Sequence, residues 1–255
     1  MALVERERRG NVALLTLNRP EARNAISPEV SREMVAILDD IESDAAIRAV
    51  VLTGAGDVFS AGADLKVVAQ GRAGDIANVK GSFAGIATRD FLKPIIAAVN
   101  GPALAGGFEI VLSCDLVVAA DTARFGIPEV QRGLMAAAGG LIRLPKRVPL
   151  AIALELAMTG DPLDASRALA LGLVNRVVAR DAVVDEALAL ADRIGQNSPI
   201  AVRKSRQLVR EAAEMSEAEG WQRTNALMAE VFSTGDAIEG ATAFAEKRAP
   251  QWKST

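Results

Sequence analysis

The stretch Lys93-Pro94-Ile95-Ile96-Ala97-Ala98-Val99-Asn100-Gly101-Pro102-Ala103-Leu104-Ala105-Gly106-Gly107-Phe108-Glu109 decides how this chain is read. An apolar run, 94–99, breaks at Asn100-Gly101-Pro102. A small-residue turn over 103–107 follows, and a helical pattern then opens at Phe108-Glu109 and runs to Cys114-Asp115. A second apolar run, Leu116 to Ala120, leads into Phe125-Gly126-Ile127-Pro128-Glu129. Short β-branched runs bounded by Gly and Pro read as buried strands, and glycines at a strand-to-helix turn allow close approach of a ligand. The order is strand, glycine turn, helix, strand, loop. Backbone N–H groups at the positive end of a helix would lie beside Glu109, with Glu129 on the next loop. The pattern suggests a site made of an amide anion hole and two carboxylates.

Outward from that stretch, residues 2–17 predict two strands around a charged turn at Arg8-Arg9-Gly10-Asn11. Ser27-Pro28-Glu29 is a good helix start, with serine capping and proline in the first turn. Ala49 to Leu52 predicts a short buried strand, followed by a second small-residue turn at Phe59-Ser60-Ala61-Gly62-Ala63-Asp64-Leu65-Lys66. Residues 69–88 hold four glycines and no clean period, which predicts a mobile surface segment or lid. Later helical patterns cover 151–159, 164–171, 182–195, 199–214, 216–232 and 236–248, with a last short strand over 173–178. Strands alternating with helices predict an α/β core over 1–195. The helix-only remainder, 196–255, predicts an appended bundle whose unpartnered apolar faces would serve oligomerisation.

Composition narrows the chemistry. At 255 residues the chain can bury a real core, and half of its residues are hydrophobic. The net charge of -3 gives no basic footprint for nucleic acid or an anionic membrane. No apolar run is long enough to span a bilayer and no leader precedes the charged opening, so a cytoplasmic protein is expected. The single cysteine, Cys114, sits in an apolar helical pattern and reads as a buried inert thiol. Histidine and tyrosine are absent. That removes Ser-His-Asp and Cys-His triads and imidazole metal sites, so proton transfer falls to Asp, Glu or Lys.

Neither glycine turn has the spacing of a dinucleotide or P-loop fingerprint. Two such turns, each after a strand and ahead of a helix, could converge one N–H apiece on a single oxygen; equally, the glycines could simply allow tight packing. Glu109 could be a capping-box glutamate, although Gly106 stands where that box wants Ser or Thr. Glu129 could be a solvated loop charge, or a buried partner of Glu109 with a raised pKa.

Taken in order, these segments resemble the crotonase family, the enoyl-CoA hydratases and isomerases. The likeness rests on Leu17-Asn18-Arg19-Pro20 with Asn24-Ala25, Val51-Leu52-Thr53-Gly54, the turn at 59–66, Lys93-Pro94 through Asn100-Gly101, and Ala105-Gly106-Gly107-Phe108-Glu109. It continues through Cys114-Asp115, Phe125 to Glu129, Leu156 to Gly160, Gly172-Leu173-Val174 and Phe244-Ala245-Glu246-Lys247-Arg248. The resemblance implies a spiral of ββα units with a C-terminal helical region that assembles homotrimers or homohexamers. It also implies an acyl-CoA thioester as ligand, and neither metal nor redox cofactor. It places the oxyanion-hole amides at Ala63 and Gly106, and the catalytic pair at Glu109 and Glu129. The coenzyme A groove falls at Ala22, Arg23, Ala25, Ala61, Asp64, Leu65 and Lys66, with Phe244 and Lys247 of the same or a neighbouring subunit closing over the nucleotide end.

With both glutamates present, the implied reaction is reversible hydration of a trans-2-enoyl-CoA to a 3-hydroxyacyl-CoA. The chain departs from the commonest hydratase pattern at Leu134 to Gly140, where Ala136-Ala137 replaces Pro-Gly near the acyl site. Leu144-Pro145 and Ala249 to Lys253 also resemble carnitinyl-CoA dehydratases, so that activity and enoyl-CoA isomerisation are the alternatives. A two-glutamate glycosidase is disfavoured by the scarcity of aromatic sugar platforms, and an RNA-binding relative by the acidic balance.

Overall fold

The computed structural model describes residues 2–253; Met1, Ser254 and Thr255, which the limits 1–195 and 196–255 include, lie outside the described residues. β1 (Val4–Arg9) and β2 (Val12–Leu17) form an antiparallel hairpin in the register Val4↔Leu17 to Arg9↔Val12. α1 (Pro28–Ser43) starts as its sequence requires: the Ser27 side chain accepts from Val30 N, and Pro28 occupies the first position. β3 (Ala49–Gly54) follows, then α2 (Leu65–Ala69) and α3 (Ala73–Ala77). β4 (Ile95–Val99), β5 (Ala103–Leu104), α4 (Gly106–Ser113), β6 (Leu116–Ala120) and β7 (Arg124–Gly126) form the organising stretch. After a 3₁₀ turn over Pro128–Arg132 come α5 (Gly140–Arg143), α6 (Leu150–Thr159), β8 (Leu163–Asp164), α7 (Ala165–Ala170), β9 (Arg176–Val178) and α8 (Val183–Gly195). Three more helices complete the chain: α9 (Pro199–Ala212), α10 (Glu217–Phe232) and α11 (Gly235–Ala245).

The strands make two sheets, ordered β1-β2-β3-β4-β6-β9 and β5-β7-β8. Beyond the first hairpin every pairing in the larger sheet is parallel. All residues of β3 and β4 are buried, as continuous apolar runs covered on both faces must be. α8 lies across β2, β3, β4 and β6, burying Val183, Ala187 and Ala191 at a spacing of four. The smaller sheet is extended by bridges Ser60↔Ala103 and Ile26↔Ala63. Each turn of the chain thus supplies one strand to the large sheet and one short extended piece to the small one, which is the expected ββα spiral. The short pieces bring residues 26, 63, 104 and 126 side by side.

Two expectations change. Residues 69–88, expected as a mobile surface segment or lid, are exposed over most of 69–80 but hold regular structure: α2 ends and α3 lies within them, and Ile76, Phe83, Ala84, Ile86 and Ala87 are buried. Lys80 and Arg89 tie this stretch to Asp39, and Arg89 also pairs with Glu42. Five-residue helices span little more than one turn, too short to show a period. The turn expected over 103–107 contains β5, and α4 opens at Gly106 rather than Phe108. The C-terminal helices bury little within the chain: only Leu227 of α10, Asp236 and Ala243 of α11, and nothing in α9. Asp236 accepts from Ser198 Oγ at 2.7 Å and from Lys253 N at 2.9 Å, tying residue 253 to the start of α9. Among the described residues no helix is long and apolar enough to cross a membrane.

Asn24 locks the early loop beneath the site. It is 1% exposed and adopts φ +53, a left-handed conformation that asparagine tolerates. Its Nδ2 donates to Ala55 O at 2.9 Å and Val58 O at 2.7 Å, while Oδ1 accepts from Arg19 N at 2.9 Å. Asn24→Ala leaves three part-buried backbone groups without their side-chain partner. It is expected to cost about 2–4 kcal/mol, read as a lower urea midpoint at unchanged slope.

Candidate active site

Two strand-to-helix turns abut. Gly62 has φ +89, and a Cβ placed on it would lie 2.7 Å from Gly106 N and 2.9 Å from Ala105 Cβ. Only a residue without a side chain lets the turns approach this closely. Ser60 Oγ holds the first turn, donating to Asn24 O at 2.8 Å and accepting from Gly62 N at 3.2 Å. Ala105 precedes α4 with φ +53 and ψ -132, a strained conformation that aims the following amide out of the helix. Among the described residues neither Ala63 N nor Gly106 N donates a hydrogen bond within the chain. Both residues line one cavity of about 490 Å³. Two free amides from adjoining turns, one at the positive end of a helix, are groups of the kind that receive an oxygen gaining negative charge.

Glu109 is the fourth residue of α4 and is 3% exposed. Its Oε1 accepts from Ala138 N and Gly140 N, each at 2.7 Å. The carboxylate is therefore engaged by another loop and does not cap its own helix. Burial raises its pKa, while the two amides and the nearby Arg143 charge oppose that rise. Glu129 stands on the 3₁₀ turn after β7, and its Oε2 is buried with no hydrogen-bond partner. Burial pushes its carboxyl up to about 7, and the charge of Glu109 adds to the shift. Two carboxylates line one cavity in unequal settings: Glu109 has donors that favour its ionised form, and the Glu129 oxygen has none.

Of the other residues expected at the site, Arg23, Ala61 and Leu65 line the cavity. Ala22, Ala25 and Lys66 do not, though Ala22 and Lys66 adjoin residues that do. Asp64 is occupied elsewhere: it accepts from Lys66 N at the start of α2 and pairs with Arg19 at 3.2 Å. Phe244 is 87% exposed, and neither it nor Lys247 lines the cavity. The sequence reading did not single out Ala138 N, Gly140 N, Phe83 or Arg143. The Gly139-Gly140 pair was their one visible signal: a Cβ on Gly140 would lie 3.0 Å from Glu109 Oε1. Phe83 forms part of the cavity roof with Ile76. Among the described residues no three His, Cys, Asp or Glu side chains are grouped so as to hold a metal ion.

Known proteins give this geometry its context. A family profile described as enoyl-CoA hydratase/isomerase matches residues 7–255. A carnitinyl-CoA dehydratase of Proteus mirabilis is 43% identical over 251 residues, covering 96% of each chain. The crystal structure of an enoyl-CoA hydratase from Mycobacterium tuberculosis superimposes with a TM-score of 0.94 at 45% identity, covering 99% of both chains. That of a carnitinyl-CoA hydratase from Mycobacterium avium gives a TM-score of 0.78 at 45% identity, again over 99% of both. Sequence and fold agree across nearly the whole length, and the chain belongs to the enoyl-CoA hydratase/isomerase family.

Proposed function

We propose that this protein is a hydro-lyase that adds water reversibly across the C2=C3 bond of a trans-2-enoyl-CoA, giving a 3-hydroxyacyl-CoA. The observation that carries this reading is the pair of unequal glutamates, one buried and one half-buried, beside two free amides. The thioester carbonyl oxygen accepts from Ala63 N and Gly106 N, which draws electrons from the conjugated bond and makes C3 electrophilic. Glu109, with one oxygen fixed by Ala138 and Gly140, takes a proton from water as its oxygen bonds to C3. Glu129 gives its proton to C2 as the enolate collapses. One proton has then moved from Glu129 to Glu109, and exchange with solvent restores the starting state. No metal or redox cofactor enters this scheme. Arg23, Ala61 and Leu65 offer the groove for the coenzyme A portion.

Exposed apolar residues on the C-terminal helices, among them Val209, Trp221, Phe232 and Ile238, support assembly into trimers or hexamers. In such an assembly Phe244 and Lys247 would close over the nucleotide end of the site in the same or a neighbouring subunit.

A second reading, dehydration of a carnitinyl thioester, is favoured by the 43% identity to the Proteus enzyme. It runs the same proton shuttle in reverse. The cavity lining speaks for an uncharged acyl group: Leu65, Val68, Ile76, Leu134 and Met135 are aliphatic, and Phe83 is its single aromatic ring. A quaternary ammonium favours aromatic faces.

Purified protein is expected to abolish the conjugated-thioester absorbance of crotonoyl-CoA and form a product heavier by one water. Glu109→Gln and Glu129→Gln are each expected to lower kcat by about 10²-fold or more. No turnover of crotonoyl-CoA, with elimination from carnitinyl-CoA, would replace the first reading by the second.

The pair works with one shared proton in either direction, so activity is expected to fall as pH rises through about 7. The same shift has a consequence for stability. A carboxyl whose pKa is raised by folding binds more protons folded than unfolded between the ordinary glutamate value and about 7, so stability falls as pH rises through that window. Glu129→Gln removes this dependence, and its Tm is expected to gain on wild type by a few degrees, on the order of 2–4 °C per kcal/mol, between mildly acidic and mildly alkaline buffer.

Phe83→Ala enlarges the roof. It is expected to shift kcat/KM toward longer acyl chains by about tenfold relative to crotonoyl-CoA, measured across a chain-length series.

A further inference from the structure

Arg143, the last residue of α5, makes no contact that the proposed proton shuttle uses, yet its guanidinium closes the loop that grips Glu109. Nη1 donates to Ala138 O at 3.2 Å, and Nη2 donates to Ala87 O in the stretch that carries Phe83. Its Nη1 edge presses against Gly139: a Cβ there would fall 2.1 Å from Nη1, and Gly139 holds φ +102. The three residues it secures, 138–140, include both amides that bind Glu109 Oε1. One side chain thus fixes the cradle from behind, fastens it to the cavity roof and sets a permanent positive charge near Glu109 alone.

We propose that Arg143 is the positioning residue of this site, locking the 138–140 cradle and assigning Glu109 the role of proton acceptor and Glu129 that of proton donor. The assignment rests on the hydratase reading given above. The charges near the pair are few. Arg143 acts on Glu109, whereas Arg132 and Glu109 itself act on Glu129. Behind Arg143 stand Arg147, which donates to Cys114 O, and Arg210, which pairs with Asp115; the Cys114 thiol, pushed up to about 12, is neutral. Asp115 also pairs with Arg206, so the nearest anion behind the cradle is already engaged. Arg143 therefore faces Glu109 as its nearest anion free of another cation. A lysine would keep the charge but not the planar fork that reaches two carbonyls at once.

The test compares Arg143→Gln and Arg143→Lys with wild type, as kcat and KM for crotonoyl-CoA across the pH range, with Tm as the control for folding. Arg143→Gln is expected to lower kcat by about tenfold or more, leave KM within about twofold, and move the acid limb of the profile upward by about half to one pH unit. Arg143→Lys is expected to return the acid limb to the wild-type position but only part of the rate. A loss of rate in Arg143→Gln with both limbs unmoved would reduce Arg143 to a structural part and overturn the proposal. So would full kcat in Arg143→Lys, and that arm decides alone if Arg143→Gln does not fold. Should wild type hydrate nothing, the reaction reading fails separately. The infrared carboxyl band assigned by its loss in Glu109→Gln then reads the cradle directly: protonation at a higher pH in Arg143→Gln than in wild type supports the proposal, and coincident titrations overturn it.

Discussion

A carboxylate inside an apolar core is tolerated only if something donates to it. Glu109 has two backbone amides from a loop 29 to 31 residues further along the chain. That requirement reaches through the rest of the architecture. The loop has to pass so close that a Cβ at position 140 would lie 3.0 Å from Glu109 Oε1, and it has to be held there, which Arg143 does by bonding to the loop and to the cavity roof together. α4 has to start on a strained Ala105 so that its first amide stays free while its fourth residue turns inward. A rigid parallel sheet behind these parts absorbs the strain, since β4 and β6 flank α4 in sequence and are packed on both faces.

The spiral explains why a single cavity can draw on segments so far apart. Each ββα unit ends in a short extended piece, and the bridges from Ile26 to Ala63 and from Ser60 to Ala103, followed by the β5–β7 pairing, stack these pieces in chain order. Successive turns of the chain then deliver a positioning loop, a first amide, a second amide and a carboxylate to one place. Small residues recur along this line because each turn passes within van der Waals reach of the next. The same design separates roles: the large sheet holds the core, and the small one lies beside the cavity.

Much of this was legible in the residues. The apolar runs at 49–52, 95–99 and 116–120 are strands because they are short, rich in Val and Ile and bounded by polar residues, Gly or Pro, and Ser27-Pro28 starts its helix as its chemistry requires. Ala63, Gly106, Glu109 and Glu129 were readable as a constellation, and the chain does gather them at one cavity. The rest was hidden for physical reasons. β5 and β8 are two residues long and exist only through their partners, so no periodicity announces them. The donors that hold Glu109 are main-chain groups, which every residue but proline has, so Ala138 carries no mark of its task. Arg143 looks like any helical arginine until the loop and roof it joins are brought together in space. Phe83 sits among glycines that suggest disorder, whereas four of the five residues 81–85 hold positive φ in a fixed, buried turn.

The buried Oε2 of Glu129 bears on how the whole molecule presents itself electrically. A formal charge of -3 counts every glutamate as ionised. Below about pH 7 the folded protein keeps a proton on this one and is a unit less negative than its composition states. The missing charge lies inside the cavity rather than on the surface, where an incoming anion would feel it most because little water screens it. A polyphosphorylated thioester approaching the site therefore meets one carboxylate charge instead of two. Substrate and proton favour each other's presence, so an occupied cavity would hold its proton to higher pH than an empty one.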